Sequence, residues 1–202
     1  MAMRIGCDKM HYALVTMSGG KETWGEPVAL PGCMSLNINP NPSIETAFYD
    51  DGPGDSAATL GNIEVEINKN ALSTAEKAAL LGHTINDKGA LIFDSTDVAP
   101  YVAIGFRTLK SNGKYRYVWL LKGRFMEPED NNNTKGDSIE FQNDVISGRF
   151  LKVDGGISIK SGESTVEKFP WKTEIDEEHE EADSATITNW FKNVYTGATA
   201  GA

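Results

Sequence analysis

Histidine and cysteine are scarce in this chain of 202 residues. The two cysteines, Cys7 and Cys33, are too few for a disulfide framework or a CxxC-type zinc site. Free thiols are the expected state, with a single bridge as the alternative reading. The three histidines, His11, His83 and His179, fall in unrelated segments and none sits in HExxH. Each reads as a structural histidine. GxSxG, Walker and GxGxxG signatures are absent. There is no run of 18 apolar residues, which excludes a transmembrane helix, and Met1–Asp8 has no apolar signal-peptide core. The expectation is a chain made and folded in a cytoplasm. Basic residues are also in deficit, 19 against 29 acidic ones, for a formal net charge of -10. Phosphate affinity comes from Lys and Arg, so such a chain should repel nucleic acid.

What is present is an ordinary share of apolar residues, 40%, enough for one solid core or at most two small ones. The stretch Pro100–Phe125 dominates. Two β-rich runs flank Ser111-Asn112-Gly113-Lys114, and Asn-Gly predicts a two-residue type I′ turn. Val102, Ile104 and Phe106 alternate with Tyr101, Ala103, Gly105 and Arg107. On the return run, Tyr115, Tyr117, Trp119 and Leu121 alternate with Arg116, Val118, Leu120 and Lys122. Both faces are bulky, which predicts a hairpin packed on each side.

Around this spine, residues 1–10 read as an arm without periodicity, followed by strands near His11–Val15, Met34–Ile38 and Ile44–Tyr49. Asp50–Thr59, with two Gly and one Pro, reads as a mobile loop. In Gly61–Asn68, Ile63, Val65 and Ile67 alternate with Glu64, Glu66 and Asn68, a half-buried strand with an acidic wet face. Ser73-Thr74-Ala75-Glu76 is a capping box that opens a short helix, closed by Gly82. Further strands are expected at Ala90–Phe93, Ser138–Gln142, Val145–Val153 and Phe169–Ile175, with a small hairpin turning at Gly155-Gly156. Glu174–Asp183 holds seven acids and reads as a solvated, self-repelling loop. Ser184–Tyr195 places Ile187, Trp190, Phe191 and Val194 on one helical face, and 196–202 reads as a frayed tail. Eight to ten strands without a βαβ rhythm predict a mainly β, antiparallel sandwich or open barrel with one flanking and one C-terminal helix.

Candidate chemistry is thin. His179 in its acidic run is the nearest metal candidate, but the run reads as solvated charge. The Asp130–Phe141 segment fails the calcium-loop pattern, because Lys135 stands where glycine must sit and Phe141 where the bidentate Glu must sit. Asn132-Asn133-Thr134 matches a glycosylation acceptor only by chance in a cytoplasmic chain. Asp50, Asp51 and Asp55 cluster in a Gly/Pro context that argues against a rigid catalytic pair. No catalytic residue, metal or cofactor is assigned, and no enzyme is expected. Tyr115, Tyr117 and Trp119 could form a stacking platform, although core packing is the simpler reading.

Several stretches in chain order resemble the major tail protein family of long-tailed, non-contractile bacteriophages, the subunits of the tail tube. They are Leu60–Ile67, Lys77–His83, Asp97–Phe106, Ser111–Phe125, Thr134–Gln142 and Asn189–Tyr195. The resemblance implies one tail-tube domain over 1–202 without a C-terminal immunoglobulin-like module. It implies hexameric rings, inner sheets joined across subunits, and head-to-tail stacking in the virion. Implied partners are further copies of the chain and tape-measure, tail-terminator and distal tail proteins, with no membrane. Genomic DNA would pass through an acidic bore without specific binding. On that reading Glu64, Glu66 and Glu140 face the lumen, and the loop with Asp50, Asp51 and Asp55 reaches the next ring. The alternatives are a monomeric carbohydrate- or protein-binding sandwich using the aromatic hairpin face, and a hydrolase with a carboxylate pair.

Overall fold

Alternation in the long hairpin sets the layout of the computed structural model, which describes residues 2–49, 52–134, 141–162 and 164–198. In chain order these form β1 (Arg4–Ser18), β2 (Lys21–Trp24), β3 (Val28–Ala29), β4 (Cys33–Asn39), β5 (Pro42–Tyr49), β6 (Gly52–Leu60), β7 (Ile63–Lys69) and α1 (Thr74–Leu81). There follow β8 (Thr84–Ile85), β9 (Leu91–Ile92), β10 (Tyr101–Lys110), β11 (Tyr115–Phe125) and β12 (Asp144–Phe150). The last elements are β13 (Ile157–Ser161), β14 (Ser164–Lys168), β15 (Lys172–Asp176) and α2 (Ser184–Asn189). The protein is mainly β, as its sequence predicts.

The main antiparallel sheet runs β2-β1-β10-β11-β12-β7-β4, with β3 also on β1 and β15 also on β11. One edge of β11 serves two partners. Arg116–Leu120 pair with β15, and Gly123–Phe125 pair with β12. The sheet therefore divides along this strand, and β12-β7-β4 lies over β1-β10-β11. Val102, Ile104 and Leu120 enter the layer between them, with Ile63, Val65, Ile67, Phe125, Ile146 and Phe150. Helix α1 covers one end of that layer with Leu80 and Leu81. On the opposite face, Ala103, Tyr117, Trp119 and Leu121 pack with Val15, Val153, Ile157 and Trp190. The hairpin is thus buried on both sides, which is why neither of its runs carries a wet face.

Helix α1 starts and stops as its sequence dictates. The Glu76 N–H donates to Ser73 Oγ (3.3 Å) and the Ser73 N–H donates to Glu76 Oε2 (2.7 Å). Gly82 ends the helix at φ 85°, where a Cβ would lie 2.5 Å from the carbonyl oxygen of Val98.

Several expectations are corrected. The arm 1–10 is ladder from Arg4 onward, because β10 extends past the predicted first strand and needs an edge partner. Residues 9 and 10 bulge, with Lys9 at φ 47°. The predicted mobile loop 50–59 is strand β6 from Gly52, paired to β5 in a separate two-stranded sheet. The turn at Asn112-Gly113 is not type I′. Only Gly113 has positive φ (81°), and its N–H donates to the Lys110 carbonyl, giving a three-residue loop. The later hairpin turns between Ser161 and Ser164, not at Gly155-Gly156. Of the strand predicted at Ser138–Gln142, residues 138–140 lie outside the described residues, and Phe141 and Gln142 are not strand. Helix α2 ends at Asn189 rather than Tyr195, although Ile187, Trp190, Phe191 and Val194 all pack on the second core. Of the predicted tail, 196–198 are irregular and the rest lies outside the described residues.

Gly105 lies opposite Trp119, and a Cβ there would stand 2.7 Å from the indole ring. Gly105→Ala should therefore destabilise the fold by roughly 1–3 kcal/mol through overpacking. Urea unfolding is the check, with a lower midpoint at unchanged slope expected.

Candidate assembly surfaces and ionic clusters

The β5–β6 hairpin is exposed along nearly all of its described length. Asn41, at φ 40° between two prolines, turns the chain out of β4, and the Gly61 N–H donates to the Asn41 carbonyl at the hairpin's base. All eight residues of β5 are exposed. The register pairs Pro42 with Leu60, Ile44 with Ala58 and Thr46 with Ser56 on one face. That face is largely apolar, and Phe48 extends it toward the tip past a register shift at 46–48. Ile44 is 70% and Phe48 73% exposed. Near the tip, the Asp55 N–H donates to Tyr49 Oη at 3.0 Å. A lone two-stranded hairpin is marginal in water, and an apolar face of this kind marks a contact surface. Sequence reading found β5 as a strand but missed this face, because the Gly- and Pro-rich partner reads as loop. Asp55 sits on the exposed strand β6; Asp50 and Asp51 lie outside the described residues.

Glu64 and Glu66 stand on the exposed face of β7, with Ile63, Val65 and Ile67 buried beneath, as the alternation predicts. Glu140 lies outside the described residues. Across the ladder Glu64 is flanked by Asn39 and Arg149, and Glu66 by Asn37 and Ser147. The face is therefore polar and mixed, with one guanidinium beside two carboxylates. At the end of the sheet, β4 pairs among the described residues only with β7, which leaves its other edge without a ladder partner.

The acidic run 174–183 is not a self-repelling loop. Lys110 Nζ binds Asp176 (2.5 Å) and Glu178, and Arg116 Nε lies 3.4 Å from Asp176. Glu177 accepts from the Tyr115 N–H (2.8 Å) and from Tyr117 Oη (3.2 Å). Asp183 caps α2, accepting from Ala185 and Thr186 N–H groups. Three carboxylates thus clamp the turn end of the central hairpin. Burial pushes the Asp176 pKa up, but hydrogen bonds from Lys110 and the Glu178 N–H outweigh it and hold it below its ordinary value. His179, the sequence's metal candidate, is exposed and accepts from the Glu181 N–H. Among the described residues no group of three or more His, Cys, Asp or Glu could hold a metal.

Two further clusters were not legible in sequence. Lys122 is buried with its Nζ 2.8 Å from Glu22 and 2.6 Å from Asp154, while Glu22 also accepts from the N–H groups of Asp154 and Gly155. This joins β2, β11 and the segment after β12. His83 follows α1, with Nδ1 2.7 Å from Asp97 and Nε2 2.9 Å from Glu127, and Phe93 against its ring. Both ring nitrogens face carboxylates, so only the imidazolium satisfies both contacts.

The aromatic platform is core. Tyr117 and Trp119 are buried, Trp119 Nε1 donates to the Trp190 carbonyl (3.0 Å), and Phe191 packs over both rings. No helix among the described residues is long and apolar enough to cross a membrane. No protein-family model and no curated protein matches the chain.

The hydrogen bond that His83 donates to Asp97 is the main cause that raises the His83 pKa, and His83 in turn lowers that of Asp97. A raised histidine pKa gives stability that is complete below the unfolded value and lost as pH rises through the folded one. A depressed aspartate pKa gives stability present above its unfolded value and lost on acidification through the folded one. The stability gap between the wild type and His83→Gln should therefore be widest between about pH 4 and 6.5 and shrink on either side. Urea unfolding across pH measures it, and a gap that does not vary with pH would refute the ion pair.

Proposed function

We propose that the chain is the subunit of a tubular polymer, the tail tube of a long-tailed, non-contractile bacteriophage, assembled from stacked rings and conducting DNA without binding it. The observation that carries this reading is the β5–β6 hairpin, an extended element whose apolar face is exposed among the described residues. Seated on another copy, that face is removed from water. A contact between two different patches of the same chain builds a filament where its rotation does not close into a ring, as in head-to-tail stacking along an axis. The open edge of β4 gives a second, lateral site at which neighbouring sheets can join within a ring.

The remaining features are compatible with a conduit. The net charge of -10 disfavours attachment to phosphate. Glu64 and Glu66 lie on an exposed sheet face rather than in the core, and on this reading that face lines the bore, moderated by Arg149. The chain then acts as a structural virion protein and not as an enzyme. Its partners are its own copies and the proteins that set tube length and cap its ends. Tyr117 and Trp119, which a sugar-binding reading would use, are enclosed beneath Trp190 and Phe191.

Electron microscopy over a concentration series tests the reading. Hollow tubes with a regular axial repeat are expected from the wild-type chain, alone or co-expressed with tail initiator proteins. Ile44→Glu with Phe48→Glu should abolish tubes while leaving the unfolding free energy of the monomer within about 0.5 kcal/mol of wild type, since both side chains are exposed. Tubes that persist in the double variant, or wild-type monomers that persist beside the initiator proteins, would overturn it. Separately, Glu64→Lys with Glu66→Lys should leave tubes intact and reduce DNA delivery. Unchanged infectivity would remove these residues from the bore.

A further inference from the structure

The two cysteines, 26 positions apart in sequence, meet in space. Cys7 lies on β1 opposite Thr108, and Cys33 opens β4 opposite Lys69. These strands sit second and last in the order of the main sheet, and they approach each other where the sandwich closes. Both cysteines are half-buried and free. Both line the same cleft of about 580 Å³, together with Met10, His11, Leu30 and Phe191. The cleft gives solvent and a small reagent a path to the sulfurs. Each cysteine also adjoins a ladder irregularity, at Asp8–His11 on β1 and at Cys33–Ser35 on β4. At such points the backbone can adjust by a fraction of an ångström without breaking a regular ladder.

We propose that Cys7 and Cys33 form a redox-active dithiol, a modification site that closes to an intramolecular disulfide by exchange with a low-molecular-weight disulfide of the glutathione class. The bond staples β1 to β4, closing the chain into a loop over residues 7–33 and adding one covalent link to the hydrogen-bonded circuit through β10, β11, β12 and β7. This proposal is independent of the assembly reading, because it concerns the seam within one chain.

The two thiols interact, which raises the pKa of Cys7 and lowers that of Cys33. Exchange that begins at Cys33 proceeds in two steps. In the first step the Cys33 sulfur attacks one sulfur of the reagent R–S–S–R. A mixed disulfide forms, the reagent's S–S bond breaks, and one R–S⁻ leaves and takes up a proton. Cys7 then gives its proton to solvent and attacks the Cys33 sulfur. The Cys7–Cys33 bond forms as the mixed disulfide breaks and the second R–S⁻ leaves. Two protein thiols are oxidised by two electrons, and one reagent disulfide is reduced to two thiols.

The test is incubation of the full purified chain with oxidised glutathione at neutral pH. Free thiols are counted after denaturation and cross-linked peptides are mapped by mass spectrometry. The expected result is a fall from two free thiols to none, a peptide pair joining Cys7 to Cys33, monomeric migration without reductant, and full reversal by a dithiol. Cys7→Ser should stop at a persistent glutathione adduct on Cys33. Cys33→Ser should likewise stop at an adduct, on Cys7. The proposal is overturned by separate adducts on both cysteines of the wild type, by disulfide-linked dimers, or by two thiols that stay free.

Discussion

Burial of the β10–β11 hairpin on both of its faces is the constraint from which the architecture follows. A strand with one wet face can end a structure, but this hairpin must be covered twice. One cover is the sheet β12-β7-β4 with α1; the other is α2 with the segment around β13. The shared edge of β11 makes both possible, because its first half takes β15 and its last residues take β12. Removing apolar surface from water at about 25 cal/mol per Å² drives both layers. Glycine at 105 lets the Trp119 indole lie flat against the neighbouring strand.

Polar groups fix what the apolar layers leave undetermined. Lys122 with Glu22 and Asp154, Lys110 with Asp176 and Glu178, and His83 with Asp97 and Glu127 each join segments distant in sequence. A buried ammonium group is tolerated only where carboxylates enclose it. These clusters therefore set register and docking as much as they add stability. The cleft behind Cys7 and Cys33 lies at the one seam that the main sheet's hydrogen-bond order does not close.

Much of this was legible locally. The alternation of Ile63, Val65 and Ile67, the capping box at Ser73, the stop at Gly82 and the two-faced hairpin are patterns whose causes lie within a few residues. What was not legible depended on distant partners. Arg4–Asp8 show no alternation and become strand because the far end of β10 offers an edge. Gly52–Leu60 have the composition of a loop and become strand by pairing with β5. The acids after Glu174 read as mutual repulsion, because Lys110 and Arg116 lie more than 50 positions away. Of the surface assigned to assembly, Glu64 and Glu66 were readable from period-two alternation. The apolar face of Ile44 and Phe48 was not, since an apolar strand residue is ordinarily buried.

The internal ion pairs have a further consequence for the protein's behaviour in salt. Lys122 with Glu22, and Lys69 with Glu76, cancel inside the fold and contribute nothing to the surplus of ten negative charges. That surplus makes every copy of the chain repel every other over roughly a Debye length, about 8–10 Å at moderate ionic strength. Counterions weaken the grip of a protein on nucleic acid. Here they do the opposite and lower the barrier to contact between like-charged copies. Dilute buffer therefore favours separate chains, and added salt weakens the repulsion between them.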